Sequence, residues 1–243
     1  MLNIFYKIKY METLRKHSLF LLAALVLATT ACAQTAQEIV EKNLQAIGGK
    51  DVIAGIKSVV IQSNIDFQGN QVPSTTTILA GKGYKNETDF MGTKIVTVIT
   101  DKGGWMINPP QGAPTATSLP DDAVKQSQSQ LSIVPLAAYA SGKLELLGKD
   151  TADYKIKYTS ANGTAATYCI NMKTYYVDRV IATGTVAGQT QETTIMFGDY
   201  RKTDFGLVVP YSISRELPQF TLVITTSSVV ANKDIDPKIF DKP

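Results

Sequence analysis

The sequence predicts a mainly β protein built on one antiparallel sheet of about eleven strands. Three observations predict it. Apolar and polar residues alternate with period two in run after run. Gly, Asn, Asp and Pro punctuate those runs every ten residues or so. Helical periodicity is confined to two places, 35–56 and 120–131. The alternation of Tyr154, Ile156 and Tyr158 with Lys155 and Lys157 further implies a sheet with one wet face.

The first element reads as an export signal. Arg15, Lys16 and His17 precede an apolar run from Ser18 to Ala28, and small residues follow as far as Ala31-Cys32-Ala33. A run that short falls below the roughly 18–20 residues that span a bilayer, so residues 1–33 are expected to be a signal peptide. The natural start is expected at Met11. Two processing routes stay open. Ala31-x-Ala33 would leave Gln34 as the first residue of a soluble protein, whereas Cys32 could be the acylated cysteine of a lipoprotein.

Residues 34–243 are expected to form a single domain. Thr35-x-x-Glu38 is a capping box, and Ile39, Val40, Leu44 and Ile47 share one helical face that Gly48-Gly49 ends. A second turn of helix brings Val52, Ile53 and Ile56 to the same side. Strands follow at 59–67, after the turn Gly69-Asn70 as far as Ala80, at 84–90, 94–100 and 105–107, where Asn108-Pro109-Pro110 stops the series. Residues 111–119 read as a loop. Pro120-Asp121-Asp122 opens a helix to about Leu131, and Pro135 sets off the apolar segment 136–140. Strands resume at 143–148, 153–159, 164–171, 174–183, 191–200, 207–215 and 220–230, with Asn162-Gly163 as the strongest hairpin turn.

Composition excludes several chemistries. The chain holds 24 Lys+Arg and 21 Asp+Glu; residues 1–33 contain four of the basic residues and one acidic, which leaves 20 of each. No basic patch is expected, hence no nucleic-acid partner. The single histidine, His17, lies in the leader, and Cys169 is the one cysteine after it. Histidine triads, HExxH zinc sites, Cys/His metal knuckles and intramolecular disulfides are therefore excluded from the mature chain. Cys169 reads as a buried structural thiol. No cofactor, no metal and no enzymatic activity are expected.

Several segments together resemble a known family. They are TAQEIVEKNLQAIGGKDVIAGIKSVVI at 35–61, Gly104-Trp105-Met106-Ile107-Asn108-Pro109, and Leu144-Glu145-Leu146-Leu147-Gly148-Lys149. Further along come Gly198-Asp199-Tyr200-Arg201 with Gly206-Leu207 and Pro210, then Asn232-Lys233-Asp234-Ile235-Asp236-Pro237 with Ile239-Phe240 and Pro243. In this order they resemble the LolA-like periplasmic proteins related to outer-membrane lipoprotein-sorting carriers. The resemblance implies an incomplete (half) antiparallel β-barrel with helices covering its concave face. It also implies a periplasmic carrier that shelters the acyl chains of a lipid or lipoprotein, works as a monomer, and meets donor and acceptor proteins of the envelope. The alternative is a non-catalytic structural module of the envelope, anchored through Cys32.

Candidate ligand-binding residues follow from apolar strand faces and from the insertion. They are Ile61, Ile65, Phe67, Phe90, Tyr154, Ile156, Leu222 and Ile224 on strands, each of which also suits a core. Trp105 reads as a guard at the cavity mouth or as a strand-end anchor. Leu136 and Tyr139 read as a moving lid or a fixed plug, because long interruptions in compact domains are often binding loops.

Overall fold

In the computed structural model, residues 34–186, 189–217 and 220–243 are described, together with the side chains outside 184–191 and 217–220. The chain divides into Met1–Thr35 and Ala36–Pro243, and the fold below is that of the second unit. The signal peptide, Met11 and Cys32 lie outside the described residues.

Thirteen antiparallel strands form one open sheet in two meanders. The first runs β1 (Ser58–Phe67), β2 (Asn70–Leu79), β3 (Gly83–Phe90), β4 (Thr93–Thr100), β5 (Gly104–Asn108) and β6 (Ala113–Ser118). The second runs β7 (Lys143–Lys149), β8 (Asp153–Thr159), β9 (Ala165–Asn171), β10 (Val177–Val186), β11 (Gln189–Lys202), β12 (Val208–Leu217) and β13 (Phe220–Ala231). Pairing of β1 with β13 joins the meanders, so β6 and β7 become the two free edges. The sheet is mainly β and unclosed, an incomplete barrel as expected.

The sheet has thirteen strands where about eleven are expected, and β6, which stands where a loop is expected, has a local cause. Residues 111–119 are not a loop: after the 3₁₀ turn Pro109–Gln111, Gly112 takes φ 80° and returns the chain so that Trp105 pairs with Ser118 and Met106 with Thr117. Pro114 survives because β6 is an edge strand and needs no inward donor there. Two hairpins share one design. Gln68-Gly69 and Met91-Gly92 have positive φ at both central residues, and Asp66 and Asp89 each accept from the glycine N–H at 2.9 Å. Asn162-Gly163 instead sits in a longer turn, where Asn162 Oδ1 accepts from the Thr164 N–H and Ser160 N–H donates to Thr164 O.

Helix α1 (Ala36–Ala46) lies on the concave face. Its Ile39, Val40 and Leu44 are buried against Ile156, Tyr158, Tyr168 and Ile170 of β8 and β9, each burial worth roughly 1.5–3 kcal/mol. Asn43 Nδ2 donates to Tyr175 O at 2.7 Å, and Val208 N–H donates to Ile47 O at 2.8 Å, which pins both flanks of the helix. The short α2 (Lys50–Gly55) continues from it.

The link between β6 and β7 must pass from one sheet edge to the other, and it does so over the concave face. Within it, α3 (Asp121–Ser127) and the 3₁₀ turn Gln128–Leu131 set Val124 and Leu131 against Ile99 and Tyr84. A second 3₁₀ segment, Pro135–Ser141, buries Leu136 in the α1 cluster.

The convex face is closed by the C-terminus. Phe240 packs on Val96, Val98 and Trp105, and the Trp105 indole N–H donates to Phe240 O at 2.9 Å. A Cβ on Gly83 would fall 2.6 Å from the Phe240 ring, so only glycine fits beneath it.

Candidate functional site: a neutral cavity on the concave face

Because α1 covers β8 and β9 while α3 covers β3 and β4, the middle of the concave face lies under neither. A cavity of about 660 Å³ opens there. Its floor is β1, β2, β3 and β9–β13, and Asn43 of α1 with Ile47 just beyond it forms one wall. The strap Ser129–Leu136, which runs from the first 3₁₀ segment into the second, crosses it and contributes Ile133, Val134 and Pro135. Leu131 and Leu136 anchor the strap at either end, and Gly81 N–H donates to Leu131 O at 2.8 Å.

Among the described residues, no lining side chain carries a formal charge. Most of the wall is Ile, Val, Leu, Phe and Pro. The phenols on it are held neutral, because burial raises the Tyr84 and Tyr200 hydroxyls and pushes Tyr168 up to about 12. Tyr200 spends its O–H on Val177 O at 2.6 Å and stacks on Tyr176 with centroids 4.5 Å apart. Polar groups cluster on β2 and β3. Asn86 Nδ2 donates to Ser74 Oγ and Thr76 Oγ1, both at 2.9 Å, and Thr88 Oγ1 donates to Asn86 Oδ1 at 3.1 Å.

Of the residues singled out from sequence, Ile61, Ile65, Leu136 and Ile224 line this cavity. The others lie elsewhere. Ile156 is fully buried under α1, and Tyr154 stacks on Tyr175 at 6.5 Å beside it. Phe67 and Phe90 form an edge-to-face pair at 5.3 Å at the tips of β1 and β3, and Leu222 lies one pleat beyond Ile224. Trp105 is a convex-face anchor, because its strand position pairs it with Val98 rather than with the cavity side of β4. Tyr139 is held outside the cavity, its O–H donated to Glu41 Oε1 at 2.8 Å and its oxygen accepting from Lys50 Nζ at 3.3 Å. The lining residues Val180, Ile195, Phe197, Ile213, Ser63 and Thr226 were not foreseen, although their strands were. The register slips by one residue at Ser227, and Asp199 takes a positive φ of 51° that turns Tyr200 towards the cavity side of Phe197.

A second polar constellation sits on the convex face of β8–β10. Arg179 bridges Asp150 at 2.6 Å and Asp153 at 3.2 Å. Backbone N–H donation from Ala152 and Asp153, reinforced by Arg179 and Lys155, lowers Asp150 to about 2. Burial and the neighbouring Asp178 raise Asp153. The buried Cys169 thiol lies under Arg179, and burial raises it. This group ties three strands together. Among the described residues no cluster of three His, Cys, Asp or Glu side chains could hold a metal, and no helix is long and apolar enough to cross a membrane.

No known family model matches the chain, and no curated protein does. Solved structures do. A LolA superfamily protein from Nitrosomonas europaea is 14% identical, with a TM-score of 0.56 over 86% of this chain and 99% of its own. An outer membrane lipoprotein-sorting protein domain from Vibrio parahaemolyticus is 13% identical, with a TM-score of 0.56 over 86% of this chain and 98% of its own. The chain has the LolA-like fold that the sequence segments resembled.

Proposed function

We propose that the mature chain is an exported, non-catalytic carrier of acyl-bearing lipid cargo, working between membranes of the cell envelope. One observation carries this reading: the apolar cavity under the strap, uncharged along its whole described wall. Its volume lies within the roughly 300–1,000 Å³ of small-ligand sites. Each methylene moved from water into such a wall gains about 0.8 kcal/mol, enough for a single chain to bind usefully. A module filled by its own side chains would bury Ile61, Ile65 and Ile224, which are only half-buried. The LolA-like fold supports the same reading, since one similar structure carries the name of a lipoprotein-sorting domain.

The test is displacement of a fluorescent fatty-acyl probe from purified, delipidated protein, paired with mass spectrometry of lipids that co-purify without detergent. Saturable micromolar binding and a recovered acyl lipid are expected. Absence of both would leave the structural-module alternative. Intact mass of the exported protein separates the two processing routes: a start at Gln34 is the soluble carrier, and a diacylglyceryl adduct on Cys32 would place it on a membrane leaflet.

A further inference from the structure

The concave face carries a row of hydroxyl side chains where the alternation calls for Val or Ile, and three of the four line the cavity. Thr226 of β13 pairs with Ser63 of β1, Ser63 pairs with Ser74 of β2, and Ser74 pairs with Thr88 of β3. The four positions form one rung across four adjacent strands. Their hydrogen bonding divides them. Ser74 and Thr88 are 3.1 Å apart and both tied to Asn86. Ser63 and Thr226 are 9% and 6% exposed, line the cavity, and have no side-chain hydrogen bond among the described residues.

A hydroxyl that bonds no other protein group but opens on the cavity must be paired by what fills it, water in the free protein or a ligand in the complex. Two such groups side by side on an apolar floor therefore point to a ligand that pairs them. Directly opposed residues in an antiparallel sheet have Cβ atoms about 4.5–5.5 Å apart, and a carbonyl oxygen has two lone pairs to offer donors at about 2.8 Å. One carbonyl oxygen fits between the two hydroxyls. A carboxylate, phosphate or ammonium does not, because no lining charge would neutralise it.

Resting on the carrier reading above, we propose that Ser63 and Thr226 form a subsite for the uncharged ester or amide carbonyl of an acyl lipid. Hydrocarbon extends from that point along Ile61 and Ile65 on β1 and Ile224 on β13. The cargo then enters past its linkage, with its carbonyl inside the cavity and not at the mouth. The subsite selects lipids by linkage, which an apolar pocket alone cannot do.

The experiment compares a monoacylglycerol ester with its alkyl-ether counterpart as competitors of the fluorescent acyl probe. The pair differs in the carbonyl alone. Wild-type protein is expected to prefer the ester by about tenfold, the worth of one or two net hydrogen bonds. Ser63→Ala combined with Thr226→Val should erase that preference by weakening the ester alone. Melting temperature should hold, because neither hydroxyl bonds another protein group. A double variant that weakens both ligands equally, or melts lower, would mean that the hydroxyls act structurally and would overturn the subsite. Equal wild-type affinity for both ligands would overturn it too, while leaving the carrier intact. Binding of neither would remove the carrier and the subsite together.

Discussion

On β8 and β9, Ile156 and Ile170 are 0% exposed beneath α1, whereas Ile61, Ile65 and Ile224 on β1 and β13 are half-buried and face the cavity. All five follow the same strand alternation on the same concave face. What differs is the cover. Helix α1 is amphipathic and pinned on both sides, so it makes its half of the sheet a core. The strap crosses the other half with buried anchors at Leu131 and Leu136 and only partly buried side chains between them, and leaves a site. Burial is therefore decided here by what the connections lay over each strand, and strand composition alone does not distinguish core from pocket.

Truncating one residue from each half is the most direct way to break that comparison. Ile156→Ala should cost about 2–5 kcal/mol, as for a well-packed core isoleucine. Ile224→Ala should cost under about 1 kcal/mol, because its side chain already borders open space, yet it should weaken acyl-probe binding. Urea denaturation of the two variants reads the first quantity, and probe titration the second. Equal stability losses would mean that both halves are core.

The convex face sharpens the contrast. Trp105→Phe removes the indole N–H that Phe240 O accepts at 2.9 Å and leaves a buried carbonyl unpaired, at about 1–3 kcal/mol. Probe affinity should not change, since the ring is on the side away from the cavity. Any selective loss of binding would return Trp105 to the mouth.

A pH effect should mark the covered half. Asp150 falls from the ordinary 3.8 to about 2, held by backbone donors and Arg179. A carboxyl lowered in the folded state contributes stability that is complete above 3.8 and is lost as pH falls towards about 2. Asp150→Asn should therefore lower the melting temperature at neutral pH and flatten its decline across that window. The raised Asp153 has the opposite sign, and its effect lies at higher pH, outside the window. Parallel melting curves for variant and wild type below pH 4 would refute the assignment.

Much of the architecture was legible in the sequence, because it is written in local periodicity. The leading helix, the insertion and the seven strands after Lys143 follow from spacing alone. Residues 111–119 hid β6 because a Pro- and Gly-rich edge strand reads as a loop. The site was half legible for a topological reason. Ile156 and Ile61 have equivalent patterns, and only the crossing of α1 and the strap separates them. Ser63 did carry a signal, as the one polar residue on the face shared by Val59, Ile61, Ile65 and Phe67. Thr226 carries the same signal after Leu222 and Ile224. Polar interruptions of an apolar face were the informative positions.

The smallest expected effect concerns the strap itself. Among the described residues its backbone bond to the rest of the fold is the one from Gly81 N–H, in the β2–β3 turn, to Leu131 O. From Ser132 to Val134 it is held by its own turns and by packing against the cavity rim. Pro135 stiffens the segment where it enters the second 3₁₀ turn, with Leu136 buried just beyond. Pro135→Ala restores backbone freedom there and should cost only about 0.4–1 kcal/mol. If the strap gates the cavity, that freedom lowers the barrier to opening from either direction. Association and dissociation of the acyl probe should then accelerate together, by a few-fold, with Kd nearly constant, in stopped-flow traces. A wall residue that merely contacts ligand would behave differently, since interface losses appear mostly in the dissociation rate. Faster dissociation alone, with a matching rise in Kd, would make Pro135 part of the wall and the strap a fixed roof. In that case cargo would enter from the open side of β3 and β13, and the contrast between the two halves would rest on α1 alone.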